Sequence, residues 1–94
     1  MKNYEVELCV TGPTTQEALD AAFDALEALE VIAPDVHALD YRATLSRQEA
    51  VITITVAAET ATAAEARALD LTRVAFNSPA NDHSSIDRRS AVPA

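Results

Sequence analysis

Residues 50–58 read Ala-Val-Ile-Thr-Ile-Thr-Val-Ala-Ala, and the fold turns on how that run is read. Ile52, Ile54 and Val56 fall on one side of an extended chain and Val51, Thr53 and Thr55 on the other, the period of two that marks a strand. β-Branched residues pack well on a pleated surface, and their density here places this strand at the centre of a sheet. On its N-terminal side, Ser46-Arg47-Gln48-Glu49 is polar and short enough for a hairpin loop. Before that loop, Val36 to Leu45 alternates again, with Leu39, Tyr41, Ala43 and Leu45 opposite Ala38, Asp40, Arg42 and Thr44. On the C-terminal side, Thr62 and Glu65 have the spacing of a capping box and open a helix to about Phe76, stopped by Asn77 and Pro79. Its sheet-facing stripe is Ala64, Ala68, Leu71 and Ala75. Leu69, Val74 and Phe76 fall off that line, which makes Leu69 and Phe76 secondary interface candidates.

The N-terminal part repeats the same grammar. Tyr4, Val6, Leu8 and Val10 alternate with Asn3, Glu5, Glu7, Cys9 and Thr11, which predicts a half-buried strand ended by Gly12-Pro13. Thr14 and Glu17 then form a second capping box. From Gln16 to about Glu30, Leu19, Ala22, Phe23, Leu26 and Leu29 recur at helical spacing opposite Glu17, Asp20, Asp24 and Glu27. Ala33-Pro34-Asp35 is the connection to the next strand, because Pro34 forces extended chain before it. Residues 77–94 are rich in Ser, Asp, Asn, Arg and Pro and show no usable period. They read as a flexible polar tail behind one domain of residues 1–76.

Strand, helix, strand, strand, helix is the order of an α+β two-layer sandwich. A right-handed crossover through the first helix sets the third strand between the first and second, with both helices on one face of a three-stranded antiparallel or mixed sheet. This βαββα(β) order resembles the ferredoxin-like split βαβ plan, with its last strand weak or missing. The resemblance is one of topology over residues 3 to 76 and implies no activity. Only 85–87 or 91–92 offer a fourth strand. Without one, Tyr4, Glu5, Val6, Glu7, Leu8 and Cys9 form an open edge whose N–H and C=O groups invite a second copy or a partner strand. A core with two Tyr, two Phe and no Trp is light for 94 residues. Both features lead us to expect a homo-oligomer.

Charge supplies the other expectation. No Lys or Arg stands between Lys2 and Arg42, while Glu5, Glu7, Glu17, Asp20, Asp24, Glu27, Glu30, Asp35 and Asp40 all do. The formal charge of −8 is built before Thr60. A face of one sign repels nucleic acid and attracts basic protein surfaces, so direct nucleic-acid binding is not expected. The predicted open sheet face also lacks the aromatic residues on which bases stack. Cys9 and His37 are a poor nucleophile and base, since Glu5 and Glu7 beside the thiol oppose the thiolate. Cys9, His37 and His83 lack metal-ligand spacing, and Asp20 with Asp24 reads as a solvated helix face before a divalent site. No cofactor and no catalysis are expected. The N-terminus has no secretory apolar segment, and no run approaches the roughly 18 apolar residues that span a bilayer. A single cysteine suits the cytoplasm.

The sequence therefore predicts a small non-catalytic interaction or assembly module. It would use the open strand edge and the acidic helix face of Glu17, Asp20, Asp24 and Glu27. Two alternatives share these features. One is an inhibitor, of a kind known among phage-encoded factors, whose spaced carboxylates imitate nucleic-acid phosphates. The other is a small ligand-sensing regulatory domain.

Overall fold

The computed structural model describes residues 1–13, 15–77 and 85–94. Thr14, His83 and the rest of 78–84 lie outside the described residues. Four strands and two helices follow one another as β1 (Lys2–Thr11), α1 (Gln16–Ile32), β2 (Val36–Thr44), β3 (Glu49–Ala58), α2 (Ala61–Ala75) and β4 (Ser85–Pro93). The fold is α+β. The strands make one sheet in the order β2-β3-β1-β4, every neighbouring pair antiparallel. As expected from its β-branched run, β3 is interior, lying between β1 and β2.

Among the described residues the strand count is four rather than three. Residues 85–93 pair with β1 from Thr11↔Ser85 to Tyr4↔Pro93, and the Ala94 N–H donates to the Asn3 carbonyl at 2.9 Å. The edge expected to be open along Tyr4 to Cys9 is thus occupied by the same chain. The alternation rule missed this strand because its register shifts between Glu7 and Leu8: Glu7 faces Ser90 and Leu8 faces Arg88, so Arg89 is an extra, bulged residue. Ile86 and Ala91 are five apart, and only the bulge puts both against the core. A second bulge at His37 does the same in β2, where Val36 pairs with Val56 and Ala38 with Thr55. It sets buried Val36 in phase with Leu39 and Tyr41.

Both helices cover one face of the sheet. From that face Tyr4, Val6, Leu8 and Val10 of β1 and Ala50, Ile52, Ile54, Val56 and Ala58 of β3 enter the core. They meet Leu19, Ala22, Phe23 and Leu26 of α1 and Ala64, Ala68 and Leu71 of α2. α2 lies over β4, β1 and β3, whereas α1 packs on β2 and against α2. The methyl side chains of Ala64 and Ala68 permit the closer approach. Phe23 gives this light core a hub: it stacks on Tyr41 at 4.1 Å between ring centroids and meets Phe76 edge-on at 6.2 Å.

The caps differ from the expected boxes. The hydroxyl before α1 that accepts a backbone N–H, that of Ala18, belongs to Thr15. Before α2 it is Thr60, accepting from Ala63, two residues ahead of the expected Thr62. In both helices the third helical position is Ala, so Glu17 and Glu65 do not complete a reciprocal box. The chain leaves α1 through Ala33, whose N–H donates to the Leu29 carbonyl, and Asp35 then binds Arg67 of α2 through both carboxylate oxygens at 2.8 and 3.3 Å. At the β2–β3 turn Gln48 takes φ 51°, and its carbonyl accepts the Gly12 N–H at 3.0 Å. Gly12 itself has φ 131°, open only to glycine at little cost.

Candidate functional site

α1 projects its carboxylates outward because its apolar positions are committed to the sheet. Leu19, Ala22, Phe23 and Leu26 are buried, and Glu17, Asp20, Asp24 and Glu27 on the remaining surface are all exposed. Asp20, Asp24, Glu27 and Val31 succeed one another by four, three and four residues, so they form one row along the helix. Gln16 Nε2 donates to Asp20 Oδ1 at 2.8 Å, and the Tyr41 hydroxyl of β2 donates to Glu27 Oε1. Among the described residues the one ion pair is Asp35 with Arg67. The acidic row therefore holds no bound cation side chain, and the last turn of α1 has none either.

Tyr41 registers the resulting field. Its phenol is held above its ordinary value of 10.0, first by the hydrogen bond to Glu27, next by partial loss of hydration, and then by the charges of Glu27, Asp24 and Asp20. Nearby carboxylates oppose the phenolate, so the row acts on Tyr41 as one negative surface. At the Asp35–Arg67 pair the reverse holds. Asp35 is pulled below the usual carboxylate value of 3.8, mainly by the hydrogen bond from Arg67, and Arg67 is raised in return.

The other expected contact residues are placed differently. Phe76 is 6% exposed and belongs to the core. The helix ends at Ala75, and Phe76 leaves it with φ −93° and ψ 11°, so a helical projection misplaces its ring. Leu69 is half-buried, and Val74, two turns from Arg67, is 64% exposed. Tyr4, Val6 and Leu8 face the core, while Glu5 and Glu7 stand on the uncovered sheet face. Cys9 also lies on that face, yet it is only 1% exposed. Val51 and Asp87 pair with it on either side, and the bulged Arg89 approaches it, its guanidinium raised by Cys9 first and then by Glu49 and Glu7.

Cys9 and His37 are not brought together. Cys9 pairs with Val51 and the His37 bulge abuts Val56, roughly 17 Å apart along β3 at the usual strand rise. Among the described residues no group of three His, Cys, Asp or Glu side chains is arranged to hold a metal ion. On the uncovered face a shallow concavity of about 220 Å³ is lined by Glu7, Asp40, Tyr41, Arg42, Val51 and Thr53. A larger groove, about 290 Å³, runs between the end of α1 and α2, with Leu29, Ile32, Leu71 and Val74 among its walls. Sequence reasoning missed this groove because it depends on how the two helices lie together. Its signal was the apolar pair Val31-Ile32 beyond the expected end of α1. Among the described residues no helix is long and apolar enough to cross a membrane. Neither a protein-family model nor a curated protein matches the sequence.

Proposed function

We propose that the chain is a non-catalytic interaction module that presents the acidic face of α1 to a basic surface of a protein partner, in a cytoplasmic setting. One observation carries the reading: Glu17, Asp20, Asp24 and Glu27 are exposed, share one helix, and have no cationic side chain among the described residues to neutralise them. Like charges a turn apart repel by a few tenths of a kcal/mol per pair, a cost that a partner's cations would turn into attraction. The strand order with both helices on one face supports assigning the fold to the ferredoxin-like plan, in which β4 closes the edge otherwise free for assembly. Interaction through β1 is accordingly not part of the proposal, and the helix face is.

The test is affinity capture from the native source with the wild-type chain and two charge-matched variants. In the first, Asp20→Asn, Asp24→Asn and Glu27→Gln remove the row; in the second, Glu5→Gln, Glu59→Gln and Asp87→Asn remove three exposed carboxylates elsewhere. The partner should be lost only from the first. Equal loss from both would reduce the effect to overall charge and overturn the reading. If duplex DNA displaces the partner, the row imitates phosphates, and the partner is a nucleic-acid-binding protein.

A further inference from the structure

Helices cover one face of the sheet, and strand register orders the outward residues of the other into cross-strand rows running from β2 through β3 and β1 to β4. The first row is Ala38, Thr55, Glu5 and Val92, and the second is Asp40, Thr53, Glu7 and Ser90. The third is Arg42, Val51, Cys9 and Asp87. Each row complements its own reversal. Laid over a reversed copy, the first sets Ala38 on Val92 and Thr55 on Glu5, the second sets Asp40 on Ser90 and Thr53 on Glu7, and the third sets Arg42 on Asp87 and Val51 on Cys9. Apolar groups meet apolar groups, hydroxyls meet carboxylates, and a guanidinium meets a carboxylate. A two-fold axis parallel to the strands and midway between β3 and β1 reverses all three rows at once. An axis across the strands through the second row would instead stack Glu7 on Glu7 and Asp40 on Asp40, so charge selects the first arrangement.

Relief matches charge. The bulge that separates Arg88 from Ser90 sets exposed Arg89 over Cys9, between the second and third rows at the β4 side of the face. The same axis brings it opposite the concavity of about 220 Å³ between the second and third rows on the β2 side, whose walls include Val51 and the carboxylates of Glu7 and Asp40. We infer that a second copy of this chain covers the uncovered sheet face, the two sheets stacked about an axis parallel to their strands, with Arg42 of each copy on Asp87 of the other and Arg89 of each in the other's concavity. Sheets packed in this way lie about 10 Å apart and about 30° from parallel, which displaces Arg42 from Asp87 by about 4 Å, within an arginine's reach. Four strands of at least nine residues, about 4.8 Å apart and rising about 3.3 Å per residue, give each copy roughly 600 Å² before side-chain relief. The pair thus buries roughly 1,200 Å², the lower bound of specific interfaces, and a dissociation constant in the micromolar range is expected. Both helical layers then face outward, so the dimer does not depend on the acidic-face reading and would present two such faces.

Sedimentation equilibrium of the full chain, with a charge-reversal pair, tests both the dimer and its register. Within one chain Arg42 and Asp87 stand three strand spacings apart, about 14 Å, so a change at one can be compensated at the other only between copies. The native chain should pass from monomer to dimer over the micromolar range. Arg42→Asp should weaken that dimer about tenfold or more, because two axis-related attractions become repulsions, and adding Asp87→Arg should return it to within about threefold of the native value. Both positions are exposed, and unchanged circular dichroism in the two variants would show that association rather than folding has been altered. Amide shifts on dilution should fall on Val51, Thr53 and Arg89 and spare α1. A native chain still monomeric near 1 mM overturns the proposal, as does a dimer that Arg42→Asp leaves intact. Loss that Asp87→Arg does not recover, or dilution shifts confined to the helices, overturns the stacking of the two sheet faces as well.

Discussion

Three residues give measurements, one through its backbone angle and two through their protons. Gln48 holds φ 51° in the turn before β3, a region that costs a residue with a Cβ roughly 1–2 kcal/mol. Gln48→Gly should stabilise the fold by up to about 1 kcal/mol, and Gln48→Val should destabilise it by about 1–2 kcal/mol, both read from urea midpoints. A loss on Gln48→Gly would mean that the turn is set by more than this backbone angle. Tyr41, with its hydroxyl on Glu27, binds its proton more tightly folded than unfolded. Its contribution is fully present below pH 10 and is lost as pH rises through the folded value. Ultraviolet titration should show Tyr41 ionising above the ordinary tyrosine value, and Glu27→Gln should bring it back down. Asp35 has the opposite sign. Held below 3.8 by Arg67, it stabilises above that value and loses its contribution as pH falls through the folded one, by no more than about 1 kcal/mol for a pair this exposed.

β4 shows what a strand needs beyond its own residues. Ser85-Ile86-Asp87-Arg88-Arg89-Ser90-Ala91-Val92-Pro93 has low strand propensity, and its two core residues are out of phase by one. Long-range pairing with β1 and one bulged residue supply what propensity lacks. Deleting Arg89 should turn either Ile86 or Ala91 to the solvent face and cost about 1–3 kcal/mol, whereas Arg89→Ala, which keeps the count of residues, should cost under about 1 kcal/mol. Similar losses for the two would show that the guanidinium over Cys9, rather than the register, is what β4 depends on. The elements legible in the sequence were those whose own pattern sufficed: β1 with its strict alternation, β3 with its β-branched run, and α1 with Leu19, Ala22, Phe23 and Leu26 at helical spacing. What escaped was set by tertiary context, including the Thr15 and Thr60 caps, the buried Phe76 and the α1–α2 groove. The acidic row was legible because helical spacing alone puts Asp20, Asp24 and Glu27 on one face.

At the scale of the molecule, both free sheet edges are blunted. β2 carries the His37 bulge and Asp40, whose carboxylate accepts the adjacent Tyr41 N–H at 2.9 Å, and β4 carries Arg88, Arg89 and Pro93. Edge-to-edge growth is discouraged at the two places where it would begin. The helical face is held together by few large side chains. Leu26→Ala, at a position 2% exposed between α1 and the sheet, should cost about 2–4 kcal/mol because a small core collapses poorly around a cavity. A loss under about 0.5 kcal/mol would mean that α1 is not anchored there.

Against this modest core stands a concentrated charge, and salt separates the two. Repulsion among Glu17, Asp20, Asp24 and Glu27 acts over distances comparable to the Debye length, about 10 Å at 0.1 M salt and about 3 Å at 1 M. Raising the salt should therefore stabilise the wild-type chain by up to about 1 kcal/mol. Sodium chloride is the appropriate salt, since strongly excluded anions such as sulfate also strengthen apolar burial. The variant with Asp20→Asn, Asp24→Asn and Glu27→Gln should begin more stable at low salt and gain much less, so that the two urea midpoints converge as salt rises. Asp35 and Arg67 work in the opposite direction, because salt weakens an exposed pair, and Arg67→Met supplies the correction for that contribution. Convergence would place the row's cost in the folded chain, where a basic partner could relieve it. Parallel salt dependence in the two proteins would show that the carboxylates of α1 are already screened by water, and the acidic face would then lose the energetic argument that makes it a binding surface.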